Sequence, residues 1–83
     1  MARILFFGKL ADAAGARAVE VTVPDDGKKI SALVDDVASG SEALSAALKS
    51  PSIRFVVNEV FEDGDKTVTD KDEIAFLPPV SGG

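Results

Sequence analysis

ISALVDDVASGSEALSAALKSP, residues 30–51, is the one long stretch of this chain whose apolar side chains recur at helical spacing. Ile30, Leu33, Val34 and Val37 fall on one stripe, Ser31 is placed to cap the N-terminus, and Gly40 stops the helix. Ser41 then caps a second helix whose stripe is Leu44, Ala47 and Leu48, and Pro51 closes it. The segments on either side read mainly as strand and turn. Upstream, residues 2–7 form an apolar run ended by Gly8, and the alanine-rich stretch to Gly15 has room for a short helical turn over residues 9–14. Residues 18–23 alternate, with Val19, Val21 and Val23 on one face and Ala18, Glu20 and Thr22 on the other. Pro24, Asp25, Asp26 and Gly27 have turn chemistry. Downstream, Ile53, Phe55 and Val57 alternate with Arg54, Val56 and Asn58, and Val60-Phe61 makes a short fourth strand. Residues 67–72 look turn-like, and residues 73–77 are the last strand.

The predicted order is β-β-α-β-β with the helical segment in the middle. The crossover through the helices favours a parallel pair between the first and last strands. This predicts an α+β fold of the ubiquitin-like β-grasp type, a mixed sheet with a helical layer on one face. A ferredoxin-like sandwich would need a second helix in the last third, where Asp63, Gly64, Asp65, Thr69 and Asp70 read as turns. We therefore expect one domain over residues 1–77 and an extended tail over residues 78–83.

Composition narrows the chemistry. The chain has 83 residues, 9 basic and 14 acidic side chains, a net charge of −5, and neither cysteine nor histidine. Disulfides, thiolate metal sites and cysteine nucleophiles are excluded together, as are the commonest general base and metal ligand. The acidic balance argues against nucleic acid, whose binding rests on neutralising phosphates with Lys and Arg. No apolar run approaches the roughly 18 residues of a membrane span, and the first residues do not form a signal peptide, so a soluble cytoplasmic protein is expected. Asp25-Asp26, Asp35-Asp36 and the acidic cluster at residues 62–65 fit no calcium loop and read as solvated faces, so no metal site is assigned.

Two features point to function. Strand two is apolar on one face only, as an edge strand should be, whereas the first and last strands are apolar on both. One helical layer covers one face of a sheet. The other face should carry an apolar patch including Phe7 and Leu77, a partner surface. The second feature is the end, Pro78-Pro79-Val80-Ser81-Gly82-Gly83. Two prolines cannot continue a ladder, so the tail leaves the sheet stiffly. Gly82 and Gly83 have no Cβ and fit a narrow channel. The group at the tip is a carboxylate, a poor electrophile until one oxygen becomes a leaving group, and adenylation by ATP is the usual route. The chain has no phosphate-binding glycine loop, so a separate activating enzyme must supply the ATP.

Residues 72–83, DEIAFLPPVSGG, resemble the C-terminal signature of the small, sulfur-carrying subunits of molybdopterin synthase. Residues 4–10, ILFFGKL, and residues 56–59, VVNE, resemble that family's first strand and its third strand and turn. The resemblance implies that Gly83 is adenylated by an activating enzyme, converted by a sulfur donor to a thiocarboxylate, and delivered into the large catalytic subunit. There the sulfur passes to cyclic pyranopterin monophosphate, within a heterotetramer of two small and two large subunits. It implies no cofactor bound by this chain itself. Carried over by position, Gly83 is the covalent site, and Pro78, Pro79, Val80, Ser81 and Gly82 form the inserted tail. Phe7, Val60 and Leu77 match an apolar surface used towards the activating enzyme, with Leu77 standing where an aromatic is frequent. Three other readings stay open on the sequence: a thiamine-pathway sulfur carrier, a ubiquitin-like binding module, and a protein modifier joined through an isopeptide bond.

Overall fold

The structure is a computed structural model, and residues 1–78 are described. Among these residues seven strands and three helices follow one another as β1 (Ala2–Phe6), α1 (Lys9–Ala14), β2 (Ala18–Val21), β3 (Lys28–Lys29), α2 (Ile30–Val37), α3 (Glu42–Leu48), β4 (Arg54–Val57), β5 (Val60–Glu62), β6 (Thr67–Val68) and β7 (Glu73–Leu77). Five strands form the main sheet in the order β2-β1-β7-β4-β5. β1 and β7 run parallel in register, Ile4 with Ile74 and Phe6 with Phe76, and the other pairings are antiparallel. The expected crossover is therefore present, and the β-grasp expectation holds. The two strands apolar on both faces are central, while β2, apolar on one face, lies at an edge.

The core lies between the sheet and the helices. Ile4, Phe6, Ile74, Phe76 and Val57 point down from the sheet and are buried against Leu10, Leu33, Val34, Leu44 and Leu48. Phe76 is at its centre, edge-on to Phe6 with ring centroids 5.8 Å apart and to Phe55 at 5.4 Å. Each such aromatic pair is worth about 0.5–1.5 kcal/mol beyond the area it buries. No polar or charged residue is buried among those described.

Local signals behave as expected in most places. Gly15 ends α1 in the left-handed region at φ 72°, its N–H returning to the carbonyls of Ala11 and Asp12. The turn before β3 closes with Gly27 N–H on Pro24 O at 2.8 Å. Ser41 caps α3, its hydroxyl accepting from Leu44 N–H at 3.2 Å.

Four expectations are corrected. Ser31 does not cap α2. Lys29 is the cap residue and makes no side-chain bond, and the first helical N–H groups instead reach main-chain carbonyls across the molecule, Ile30 to Lys66 O and Ser31 to Gly64 O, both at 3.0 Å. α2 ends at Val37 with Ala38 as its C-cap, short of Gly40. The first two strands stop at Phe6 and Val21, short of residues 7 and 23. Residues 67–72 are only partly a turn, because Thr67 and Val68 pair with Lys29 and Lys28 in a separate two-stranded sheet.

Candidate functional site

Residues directly opposite each other in adjacent strands lie on the same face of the sheet. The register therefore defines what the helix-free face carries. Ala18 pairs with Leu5, Leu5 with Ala75, Ala75 with Val56, and Val56 with Phe61. One apolar row thus crosses the whole sheet from edge to edge. Beside it, towards the C-terminal end of β7, lie Leu77 and its partner Arg54, with Phe7 continuing the Leu5 side of β1. On the opposite flank the row gives way to Glu20, Arg3 and Glu73, paired across three strands. Phe7 is 45% exposed and Phe61 68% exposed, although both are large and apolar. The patch is continuous, with cationic side chains at one margin and mixed charge at the other.

The end of β7 sits in the corner of this face. Phe7 N–H donates to Phe76 O at 3.2 Å, so the parallel pairing runs one residue past β1. Pro78 then leaves the ladder against Gly8. An open hollow of about 600 Å³ lies on one side of the exit, lined by Pro51–Phe55, Glu62–Gly64 and Pro78. A second, of about 560 Å³, lies towards β2 and is lined by Leu5, Phe6, Phe7, Gly8, Ala11, Asp12 and Arg17.

The start of β7 is anchored as firmly as its end. The turn joining β4 to β5 has two residues, Asn58 and Glu59, both at positive φ (49° and 73°), as a type I′ hairpin requires. Asn58 uses its side chain to hold β7. Its Oδ1 accepts from Glu73 N–H at 3.0 Å and its Nδ2 donates to Asp72 Oδ1 at 2.8 Å. The other Asp72 oxygen accepts from Thr69 N–H at 2.8 Å. That backbone bond is the main reason the Asp72 carboxyl titrates below its ordinary value; partial burial opposes it, and the Asn58 amide and the Lys66 charge reinforce it.

Of the residues singled out from the sequence, Phe7, Leu77 and Pro78 are brought together at the exit corner. Val60 is not with them. It pairs with Val57, whose side chain points into the core, so the register puts Val60 on the opposite side at the sheet edge. Pro79, Val80, Ser81, Gly82 and Gly83 lie outside the described residues. Phe61 was missed by the sequence reading. The signal was available: a two-residue loop at residues 58–59 puts Phe61 opposite Val56. Among the described residues no group of three or more acidic side chains is arranged to hold a metal ion. No helix among them is long and apolar enough to cross a membrane.

These features define a ubiquitin-like β-grasp domain that presents one bare sheet face and sends its C-terminal strand out at the corner of that face. The chain belongs to the ThiS family, whose model matches residues 4–83. It is 35% identical to the molybdopterin synthase sulfur carrier subunit of Escherichia coli, with both chains covered in full. The subunit of the same name from Haemophilus influenzae is 29% identical, again over the whole of both chains. Among solved structures it is similar to SAMP1 from Haloferax volcanii, with a TM-score of 0.82 and 28% identity, covering 99% of this chain and 98% of that one.

Proposed function

We propose that this chain is the sulfur-carrying small subunit of a molybdopterin synthase and that Gly83 is its reacting residue. The observation that carries the reading is the end of the chain: Ser81-Gly82-Gly83 follows a central strand and two prolines, and the family match runs to Gly83 itself. Full-length similarity to two subunits of that name supports it. In this reading the Gly83 carboxylate displaces pyrophosphate from ATP on a separate activating enzyme, giving an acyl-adenylate. A sulfur donor then displaces AMP and leaves a thiocarboxylate. The large subunit receives the tail and passes the sulfur to cyclic pyranopterin monophosphate. The carrier contributes no acid–base group, in keeping with a chain that lacks histidine and cysteine. It holds no cofactor of its own. Its acidic surface suits a basic receiving pocket, the assembly is two small and two large subunits, and the cycle runs in the cytoplasm.

The test is intact-mass analysis of the native chain before and after a thiol-alkylating reagent. With no cysteine present, only a thiocarboxylate can take the label, and fragmentation should place it on Gly83. Alkylation is needed because oxidation of Met1 nearly matches the mass change of oxygen replaced by sulfur. A chain that stays unlabelled after incubation with activating enzyme, ATP and a sulfur source would sink the proposal. The likeness to SAMP1, a small archaeal modifier protein by name, favours a second reading in which activated Gly83 is captured by a lysine of another protein. That reading requires an isopeptide bond at Gly83. Co-purification with a large subunit separates a molybdopterin from a thiamine pathway.

A further inference from the structure

We infer that Gly8 is a positioning residue for the tail: its bare Cα is the seat against which Pro78 turns out of the sheet, and it thereby aims the reacting end. The inference rests on the carrier reading and adds to it the element that sets the tail's direction.

Three observations carry it. Gly8 has φ 55° and ψ −133°, a backbone conformation that L side chains rarely adopt. A Cβ added there would lie 3.1 Å from Pro78 Cγ and 3.9 Å from its Cδ. At Gly15 and Gly40, which also have positive φ, an added Cβ meets nothing within 4 Å. Those two glycines serve their turns alone, whereas Gly8 serves a turn and a contact. The seat is also fixed on both sides: Phe7 N–H is bonded to Phe76 O at 3.2 Å, and Gly8 O accepts from Ala11 N–H at 3.1 Å. Gly8 is thus held by both β1 and α1, and the proline ring, with its φ locked, rests on it.

The consequence for chemistry is a lever. Pro78 is where the described chain leaves the sheet, so a tilt of its ring against Gly8 redirects the residues that follow it. Misplacement of a reacting group by about 1 Å costs up to roughly 100-fold in rate. The row of Leu5, Ala75, Val56 and Phe61, away from the exit corner, is untouched by such a tilt. An error at Gly8 should therefore appear in turnover rather than in binding.

The experiment is a double-mutant cycle on the full chain with Gly8→Ala, Pro78→Ala and both, assayed with the activating enzyme, ATP and a sulfur source. For each variant kcat and KM for thiocarboxylate formation are measured, with Tm followed by circular dichroism. Gly8→Ala is expected to lower kcat roughly 10- to 100-fold with KM within about twofold. Pro78→Ala removes the ring from outside the ladder, so it should keep its Tm while kcat falls. The double variant should lose less relative to Pro78→Ala than Gly8→Ala loses relative to the parent, because the added methyl no longer has a ring to strike and only the backbone strain at φ 55° remains. Multiplicative losses in the double variant would overturn the inference. So would a rise in KM with kcat unchanged. If Gly8→Ala does not fold, Pro78→Ala decides: wild-type kcat with unchanged Tm overturns the inference. A wild-type chain that is never charged fails the carrier reading itself, whereas a charged wild type with fully active variants fails only this proposal.

Discussion

Asp72 joins three segments with one carboxylate: the turn at Thr69, the hairpin at Asn58 and the start of β7. An asparagine in its place has one acceptor oxygen for two donors. Because the Asp72 carboxyl titrates below its unfolded value of 3.8, it contributes stability above about pH 4 that is lost as the pH falls through the lower, folded value. Asp72→Asn is therefore expected to be less stable than the parent at pH 7, and the gap should close on acidification. Urea unfolding at several pH values between 7 and 2 checks this, and a gap independent of pH would show that the charge contributes nothing. The residue scale is also where sequence reading was most uneven. Ser41 was legible because a cap is read within four residues. Asn58 reads as a strand position and, by resemblance, as part of a turn, but its hold on β7 is not legible, because its partners lie 14 and 15 residues away.

At the scale of elements, the two central helices begin in physically different ways. α3 starts on its own side-chain cap, and Ser41→Ala should cost about 1 kcal/mol. α2 starts on carbonyls of residues 64 and 66, so Ser31→Ala should cost less than about 0.5 kcal/mol although the two serines look alike in sequence. Thermal unfolding of both variants tests the contrast, and equal losses would contradict it. The same difference explains what could be read beforehand. β1, α1, β2, α2, α3, β4, β5 and β7 carry a local period or a local stop signal. The strands β3 and β6 have two residues each, too few for alternation to register, and they exist only because Lys28-Lys29 meets Thr67-Val68 from a distant part of the chain. The loop that caps α2 belongs to the same distant meeting.

At the scale of the whole molecule, the helices occupy one side of the sheet and leave the other to apolar residues. The inward set makes the core, and under the proposed function the outward set docks, so the two should be separable by mutation. Phe61→Ser is expected to keep the parent's unfolding free energy to within about 0.5 kcal/mol while weakening binding of the large subunit roughly tenfold or more. Val60→Ser, on the other side of the same short strand, should weaken it less. Calorimetric titration of the two variants ranks them, and the reverse order would mean that the partner wraps the sheet edge. The face was legible in advance as a surplus of apolar residues in β1 and β7. Its full width was not, because that depends on the register of β4 and β5.

The place of β7 in the sheet carries a consequence for biosynthesis. β7, the last of the described strands in chain order, lies in the middle of the sheet, between β1 and β4. Until it arrives, β1–β2 and β4–β5 are two unconnected ribbons, and Phe76 is missing from the centre of the core. A nascent or prematurely terminated chain therefore has no native sheet to offer a partner. Folding acts as proofreading: a chain that displays the apolar sheet face has already been translated through β7.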